Sequence, residues 1–172
     1  MKINIAQISE GEGLSVNHVY PEGEPRLEGE ESRLVGRPEL NVQATRAGLT
    51  VRLVGDVAAK VQFDCDRCLA PLTMPVRQSF DLVYVPPLGA GDEKELADDD
   101  LSMGFYQGEE IDVDDIVREQ IELALPMARL CSENCEGLCS ECGANLNEGK
   151  CSCMREEIDP RWAALKELKS DS

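Results

Sequence analysis

The sequence predicts an α+β protein in which an antiparallel β-sheet or small barrel packs against one amphipathic helix and precedes a cysteine-rich C-terminal segment. Three observations predict this architecture. Apolar residues alternate with polar ones up to about residue 85, and their period changes to that of a helix near residue 110. Six of the eight cysteines then fall within residues 131–153.

The N-terminal half has the pattern of β-strands. Residues 39–46 alternate, residues 49–63 are rich in β-branched side chains, and a tight hairpin turn is expected between them at Ala47-Gly48. Residues 72–85 continue the alternation, which requires Pro75 to lie at a sheet edge or at the start of its strand. A further strand within residues 1–8 is expected through Ile3 and Ile5.

Residues 86–110 have the composition of a flexible acidic loop, and the helix is expected directly after them at 112–125. Asp112 can cap its N-terminus, apolar residues from Val113 onward share one face, and Pro126 ends it. Asp159-Pro160 is expected to open a short terminal helix. We therefore expect a β-rich domain over 1–128, followed at 129–172 by the cysteine-rich segment and terminal helix.

Charge is concentrated in the middle of the chain. The protein carries 34 acidic and 17 basic residues, a formal net charge of -17, and residues 92–128 hold 13 of the acidic side chains against two basic ones. Phosphate binding depends on Lys and Arg, so the expected partner is a basic protein, with direct RNA contact left open. Asp98, Asp99 and Asp100 are the candidate partner-binding residues; the alternative is a solvated loop that only maintains solubility.

The cysteines are expected to remain reduced. No apolar run resembles a signal peptide, and none approaches the length of about 20 residues that a membrane span needs. These absences predict a cytoplasmic protein, and in that compartment cysteines bind metal more often than they form disulfides.

Two Cys-x-x-Cys motifs, Cys65–Cys68 and Cys139–Cys142, have the spacing at which two thiolates converge on one ion. Eight cysteines make two sets of four, so we expect one or two zinc ions. The local site would use Cys139, Cys142, Cys151 and Cys153. The other site would join Cys65 and Cys68 to Cys131 and Cys135, and so connect the sheet to the C-terminal segment.

Other interpretations of the cysteines stay open. The single-residue gap between Cys151 and Cys153 does not make an ordinary knuckle, so one zinc bound by Cys135, Cys139, Cys142 and Cys151 is a rival scheme. Cys65 and Cys68 would then be half-buried thiols, or a pair that acts in thiol redox chemistry or in metal handling. Four cysteines can also bind iron or an iron–sulfur cluster.

An enzyme is the less expected class. His18 is the single histidine and is expected at the surface, and any Ser-His or Cys-His catalytic arrangement would depend on it alone. Phosphate-binding glycine loops and the HExxH and GxSxG motifs are absent from the sequence. A zinc ion bound by four cysteines has no open position for water.

The motifs resemble those of the YceD-type large ribosomal RNA subunit accumulation proteins of bacteria and plant organelles. The resemblance covers about residues 50–168 and includes Cys65-Asp-Arg-Cys68-Leu69, the helix that ends before Pro126, the run from Cys135 to Gly143, and Cys151-Ser-Cys153. It implies a non-catalytic role in the accumulation of 23S ribosomal RNA and in large-subunit assembly. Carried over by residue, the eight cysteines are the candidate site; Arg67 is a weaker candidate, expected to pair with Asp64 or Asp66.

Overall fold

The structure is a computed structural model, and it describes residues 1–29, 32–87, 103–106 and 108–153. Eight strands, one short 3-10 helix and one α-helix lie in these ranges. In chain order they are β1 (Lys2–Asn4), the 3-10 helix (Ile5–Gln7), β2 (Leu14–Val19), β3 (Ser32–Leu34), β4 (Glu39–Ala47), β5 (Thr50–Asp64), β6 (Pro71–Val85), β7 (Met103–Phe105), β8 (Glu110–Asp112) and α1 (Val113–Leu123).

The main sheet has the strand order β2-β4-β5-β6-β7, and β3 pairs with β5 beyond the end of β4. All of its pairs are antiparallel except β6 with β7, which run parallel. Strands β1 and β8 form a separate two-stranded antiparallel sheet. The predicted α+β class is therefore confirmed. Among the described strands the order runs from β2 to β7 without closing, which favours the sheet over the barrel.

A long central hairpin supports the rest of the sheet. Strands β5 and β6 have 15 residues each, and their register runs from Val51 opposite Tyr84 to Asp64 opposite Pro71. Pro75 lies opposite Lys60, and β7 reaches only the last three residues of β6. On its other side Pro75 has no partner strand in the described ranges, in agreement with the expected edge position. The hairpin's turn, residues 65–70, holds the first Cys-x-x-Cys motif.

The turn between β4 and β5 lies one residue later than predicted. Ala47 still pairs with Thr50, so the loop consists of Gly48 and Leu49 rather than Ala47 and Gly48. Gly48 has a φ of 61°, which an alanine adopts only at a cost, and it therefore occupies the first loop position.

Helix α1 begins and ends near the predicted bounds. The Asp112 side chain accepts a hydrogen bond from the Asp114 N–H at 3.0 Å, which satisfies one of the free N–H groups of the first turn. The buried face of the helix packs against β5, β6 and β1. The helix ends at Leu123, three residues before Pro126, instead of extending to residue 125.

The short strands were largely missed by the sequence analysis. Only residues 2–4 of the expected N-terminal strand are extended, and Ile5 enters the core from the 3-10 helix. Strands β2, β3, β7 and β8 were not predicted. His18, expected at the surface, is half-buried, with its ring centroid 4.5 Å from that of Tyr20. The predicted terminal helix lies outside the described residues, and the division at residue 128 stays a prediction.

Candidate metal centres

The first Cys-x-x-Cys motif is the turn of the central hairpin. The Cys65 N–H donates to the carbonyl oxygen of Ala70 at 2.9 Å, and the Leu69 N–H donates to the carbonyl oxygen of Cys65 at 2.9 Å. These two bonds fold residues 65–70 into a compact knuckle whose thiols point inward. Cys65 is 0% exposed and Cys68 is also buried.

The second motif repeats this geometry. The Cys139 N–H donates to the carbonyl oxygen of Ala144 at 2.8 Å, and the Gly143 N–H donates to that of Cys139 at 2.9 Å. In both knuckles the residue after the second cysteine has a positive φ, 72° for Gly143 and 57° for Leu69. Glycine adopts this conformation freely, whereas leucine does so at a cost. Leu69 is the one residue other than glycine with a positive φ in the described part of the chain.

The first set of sulfurs has the spacing of a tetrahedral site. The Sγ atoms of Cys65 and Cys135 are 3.8 Å apart, and those of Cys68 and Cys131 are 3.6 Å apart. All four sulfurs lie within 4.8 Å of one another. Zinc–sulfur bonds of about 2.3 Å place tetrahedral sulfurs about 3.8 Å apart, whereas a disulfide needs about 2.05 Å. The set can therefore hold a metal ion, and its cysteines are free thiols.

The second set consists of Cys139, Cys142, Cys151 and Cys153, whose sulfurs also lie within 4.8 Å of one another. Cys151 and Cys153 both reach it despite the single residue between them. Cys135 lies in the first set, away from the grouping that the rival scheme requires. This second set is also able to hold a metal ion. It is less enclosed than the first, because Cys139 is its one buried member, whereas the first set has three buried cysteines.

The thiols of the first set differ in their pKa values. Burial opposes ionisation of Cys65, but backbone N–H groups, those of Cys68 and Arg67 foremost, lower its pKa to about 6. An N–H from Ala70 favours the Cys68 thiolate, yet burial and the neighbouring cysteine sulfurs outweigh it and raise its pKa to about 12. The protein thus favours the Cys65 thiolate by itself, whereas the Cys68 thiolate needs a cation to stabilise it.

The second set repeats this division. Backbone N–H groups of Cys142 and Glu141 donate to the Cys139 sulfur and lower its pKa to about 6. The neighbouring Cys142 sulfur and burial raise the pKa of Cys153 to about 12. In both knuckles the turn therefore favours the thiolate form of the first cysteine. The thiolate is the form in which cysteine binds a soft cation.

Two further donors contact the sulfurs of the first set. The Cys131 N–H donates to Cys65 Sγ at 3.4 Å, and the side-chain amide of Asn147 donates to Cys135 Sγ at 3.4 Å. Asn147 also accepts from the Glu136 N–H at 2.8 Å, which fixes its orientation. Asn147 therefore connects the loop of the second knuckle to a sulfur of the first set, and the sequence analysis gave no indication of this role.

Arg67 connects the first knuckle to the segment that precedes the second. Its guanidinium Nη1 donates to the carbonyl oxygen of Cys135 at 2.9 Å, and its own carbonyl oxygen accepts from the Leu138 N–H at 3.1 Å. Gly137, with a φ of 76°, lies so close that a Cβ there would be 3.1 Å from the Arg67 carbonyl oxygen. The expected pairing of Arg67 with Asp64 or Asp66 is therefore replaced by a contact with the cysteine segment.

Asp66 pairs instead with Arg129. The Arg129 N–H donates to Asp66 Oδ2 at 2.7 Å, its Nε lies 3.3 Å from Asp66 Oδ1, and the Asp66 N–H donates to the Arg129 carbonyl oxygen at 2.8 Å. The Arg129 guanidinium also lies 5.8 Å from the centroid of the Phe63 ring. These contacts hold the chain before Cys131 against the hairpin turn. They join residues 63 positions apart, so no local sequence signal predicts them.

The remaining site predictions have no structural outcome. Asp98, Asp99 and Asp100 lie outside the described residues, so their assignment to partner binding stays a prediction. None of the helices in the described ranges has the length and apolar character needed to cross a membrane.

Comparison with known proteins places this architecture in a family. The family described as "Large ribosomal RNA subunit accumulation protein YceD" matches residues 53–169, which include all eight cysteines. An uncharacterized protein of Mycobacterium tuberculosis is 33% identical over 130 residues, covering 76% of this chain and 60% of the relative.

Two plant proteins are also similar, and both are named "Large ribosomal RNA subunit accumulation protein YCED homolog 1, chloroplastic". The Arabidopsis thaliana protein is 27% identical over 87% of this chain and 50% of its own length, and the Zea mays protein is 29% identical over 69% and 49%. The chain thus spans about half of these plant relatives. No solved structure matches it. From the family match and the mycobacterial relative, the chain belongs to the YceD family of large ribosomal RNA subunit accumulation proteins.

Proposed function

We propose that this protein is a non-catalytic, cytoplasmic factor that supports the accumulation of 23S ribosomal RNA during large-subunit assembly, and that its cysteines bind two structural zinc ions. Family membership supports the ribosomal role. The observation that carries the structural part is the first sulfur set, which joins the turn of the central hairpin to a segment more than 60 residues further along the chain.

Zinc is the metal that this donor set favours. Four thiolates with sulfur separations of 3.6 and 3.8 Å fit a tetrahedral ion without d-electron preferences. Cys65, Cys68, Cys131 and Cys135 would hold one ion, and Cys139, Cys142, Cys151 and Cys153 the other. Bound there, zinc supplies folding energy, because the sites do not exist in the unfolded chain.

A structural role for the two zinc ions also supports the proposal that the protein is not a catalyst. When four protein sulfurs complete the tetrahedron, no position is left for water or substrate, and the Lewis acidity of the metal is not available for a reaction. His18, the single histidine of the chain, packs against Tyr20 and lies in β2, outside both knuckles. The proposed role therefore depends on binding rather than on bond making.

Mass spectrometry of the freshly purified native protein tests the metal assignment. We expect two zinc ions per chain, falling to one when Cys65 and Cys68 are both replaced by serine. Ser140→Ala and Ser152→Ala change neighbouring residues in the cysteine segment without removing a thiol, so both controls should retain two ions. A well-folded protein with no metal, or iron in place of zinc, contradicts the assignment.

The ribosomal role is tested in cells that lack the protein. We expect the ratio of 23S to 16S ribosomal RNA to fall, to be restored by the wild-type chain and by Ser152→Ala, and to remain low with the Cys65→Ser/Cys68→Ser double variant. An unchanged ratio in the strain without the protein would remove the proposed function, whatever metal the protein binds.

A basic protein, such as a ribosomal protein or an assembly factor, is the proposed partner of the acidic segment. Residues 92–115 contain eleven acidic side chains against Lys94, and a segment of such charge attracts cations and speeds their approach. Replacing Asp98, Asp99 and Asp100 by Asn should weaken capture of the partner and flatten its salt dependence. Capture unaffected by the triple substitution, or abolished entirely by nuclease, would reject this partner class.

A further inference from the structure

Three cations surround one hollow on the solvent face of the central hairpin. The hollow has a volume of about 570 Å³, and Arg37, Lys60 and Arg77 contribute the positive charges to its lining. Ala58 leaves space between them because its side chain is a single methyl group. Among the residues that line the hollow, Glu39 is the one carboxylate. The local balance is therefore positive in a protein whose total charge is -17.

Rigid elements hold these cations in place. Arg77 lies opposite Ala58 and Lys60 opposite Pro75 in the register of β5 and β6, so both project from the two longest strands. Arg37 lies in the connection between β3 and β4, and its Nε donates to the Tyr20 carbonyl oxygen at 3.4 Å. The Val35 N–H donates to the Lys60 carbonyl oxygen at 2.8 Å, which fixes this connection against β5.

The three cations lack the ion pairs that four of the other basic residues form. Lys2, Arg52, Arg118 and Arg129 each form an ion pair with a carboxylate. Within the described ranges, Arg37, Lys60 and Arg77 form no ion pair, although acidic residues outnumber basic ones two to one. A group of cations without carboxylate partners, held on a rigid sheet, is the arrangement that phosphate contacts need.

We infer that this face of the hairpin is a binding surface for the phosphates of single-stranded RNA, with Arg37, Lys60 and Arg77 as the contacting residues. The inference deepens the proposed function, since the RNA would be ribosomal. Acidic residues farther from the hollow than the Debye length of about 8 Å are largely screened at physiological ionic strength, so the cations that line the hollow set the local potential. Three contacts imply a salt slope of about -2 in a plot of log K against log salt concentration.

RNA binding measured by fluorescence anisotropy with a labelled polyuridylate oligonucleotide tests this surface. For the Lys60→Gln/Arg77→Gln double variant we expect the dissociation constant to rise about tenfold or more near 0.1 M salt, and the salt slope to fall by about 1.4. The matched control is Arg52→Gln/Arg118→Gln. It also removes two positive charges, but from residues that already pair with Asp81 and Asp115. The control should change the binding much less. Unfolding curves of both variants check that each remains folded.

Three results would overturn the inference. The first is that the wild-type protein does not bind the oligonucleotide between about 50 and 200 mM salt. The second is that the two double variants lose equal amounts of binding affinity, and the third is that the Lys60→Gln/Arg77→Gln variant binds as tightly as the wild type. If that variant keeps its RNA binding but loses binding to polyglutamate, the surface belongs to an acidic protein instead. The cellular 23S measurement is independent of this test, so the surface and the proposed function can fail separately.

Discussion

The guanidinium of Arg67 donates to the carbonyl oxygen of Cys135 at 2.9 Å across the two halves of the first sulfur set. Arg67 belongs to the turn of the central hairpin, and Cys135 to a segment 68 residues later. The bond holds one pair of cysteines in position relative to the other. We therefore expect it to favour retention of a metal ion that it does not itself contact.

Arg67→Ala should accelerate zinc release from the first set to a chelator. Losing one net hydrogen bond costs about 1 kcal/mol, which corresponds to about a fivefold change. Release can be followed with a zinc-sensitive dye. Arg77→Ala is the control, because it removes an exposed arginine from the same hairpin without such a contact. Equal release rates for wild type and Arg67→Ala would show that the bond does not hold the site together.

Three glycine substitutions should form a graded series of stability. Gly149→Ala meets no atom within 4 Å and should leave the stability of the metal-loaded protein unchanged. Gly143→Ala also has open space but a φ of 72°, so it should cost about 1–2 kcal/mol. Gly137→Ala adds contact with the Arg67 backbone to a φ of 76° and should cost more. Urea unfolding of the zinc-loaded variants measures the order, and any other order contradicts the turn geometry.

Leu69→Gly should stabilise the protein. The left-handed conformation costs leucine about 1–2 kcal/mol, whereas glycine loses about 0.5–1 kcal/mol more conformational entropy on folding. Because Leu69 is 62% exposed, little burial is lost with its side chain, and the net gain should be about 0.5–1 kcal/mol. Leu49→Gly, at an exposed leucine with an ordinary φ, should not stabilise the chain. A loss of stability in Leu69→Gly would mean that the leucine side chain makes a contribution larger than the strain.

Cys139→Ser should unfold the second knuckle and leave the sheet folded. Structural zinc supplies the folding energy of such a segment, and loss of one of four sulfurs breaks the tetrahedron. Hydrogen exchange should rise at residues 139–153 while β5 stays protected. The companion variant Cys65→Ser should instead raise exchange at the hairpin turn. Uniform exchange across the chain in Cys139→Ser would show that sheet and knuckle form one cooperative unit.

Alkylation at neutral pH should distinguish metal-bound thiols from free ones at Cys131 and Cys142. Both side chains are exposed, so without metal a reagent reaches them freely. Cys65 and Cys68 are unsuitable reporters of metal because burial alone slows their labelling. We expect peptide mass spectrometry to find Cys131 and Cys142 protected until a chelator is added. Fast labelling of either in the untreated protein would favour a thiol redox role over structural zinc.

The long elements of this fold could be predicted from local pattern, and the short ones could not. Strands β5 and β6 carry a sustained two-residue period over 15 positions each. Strands β1, β3, β7 and β8 have three residues each, too few to establish a period, and they are extended because distant strands pair with them. Lys2 pairing with Asp112 is an example that no local window contains.

The cysteine sets could be anticipated, but their supports could not. Spacing and elimination favoured, over a rival grouping that stayed open, the two groups of four whose sulfurs converge in the structure. Asp66 with Arg129 and Asn147 with Cys135 depend on how two remote chain segments meet. The positive φ of Leu69 could not be anticipated either. The second knuckle has a glycine at the equivalent position, and that glycine does not indicate that a leucine adopts the same conformation in the first.

The two sulfur sets differ in the time that passes, while the chain is being synthesised, between the emergence of their first and last cysteines. Cys68 and Cys131 are 63 positions apart, so at about 5–20 residues per second the first knuckle waits about 3–13 s for its remaining ligands. The four ligands of the second set lie within 15 residues and emerge within about 3 s of one another. During this interval the hairpin of each nascent chain presents two cysteine thiols without the other two ligands, and these thiols are open to oxidation or to a competing metal. Cells short of zinc should therefore lose the protein at this stage first.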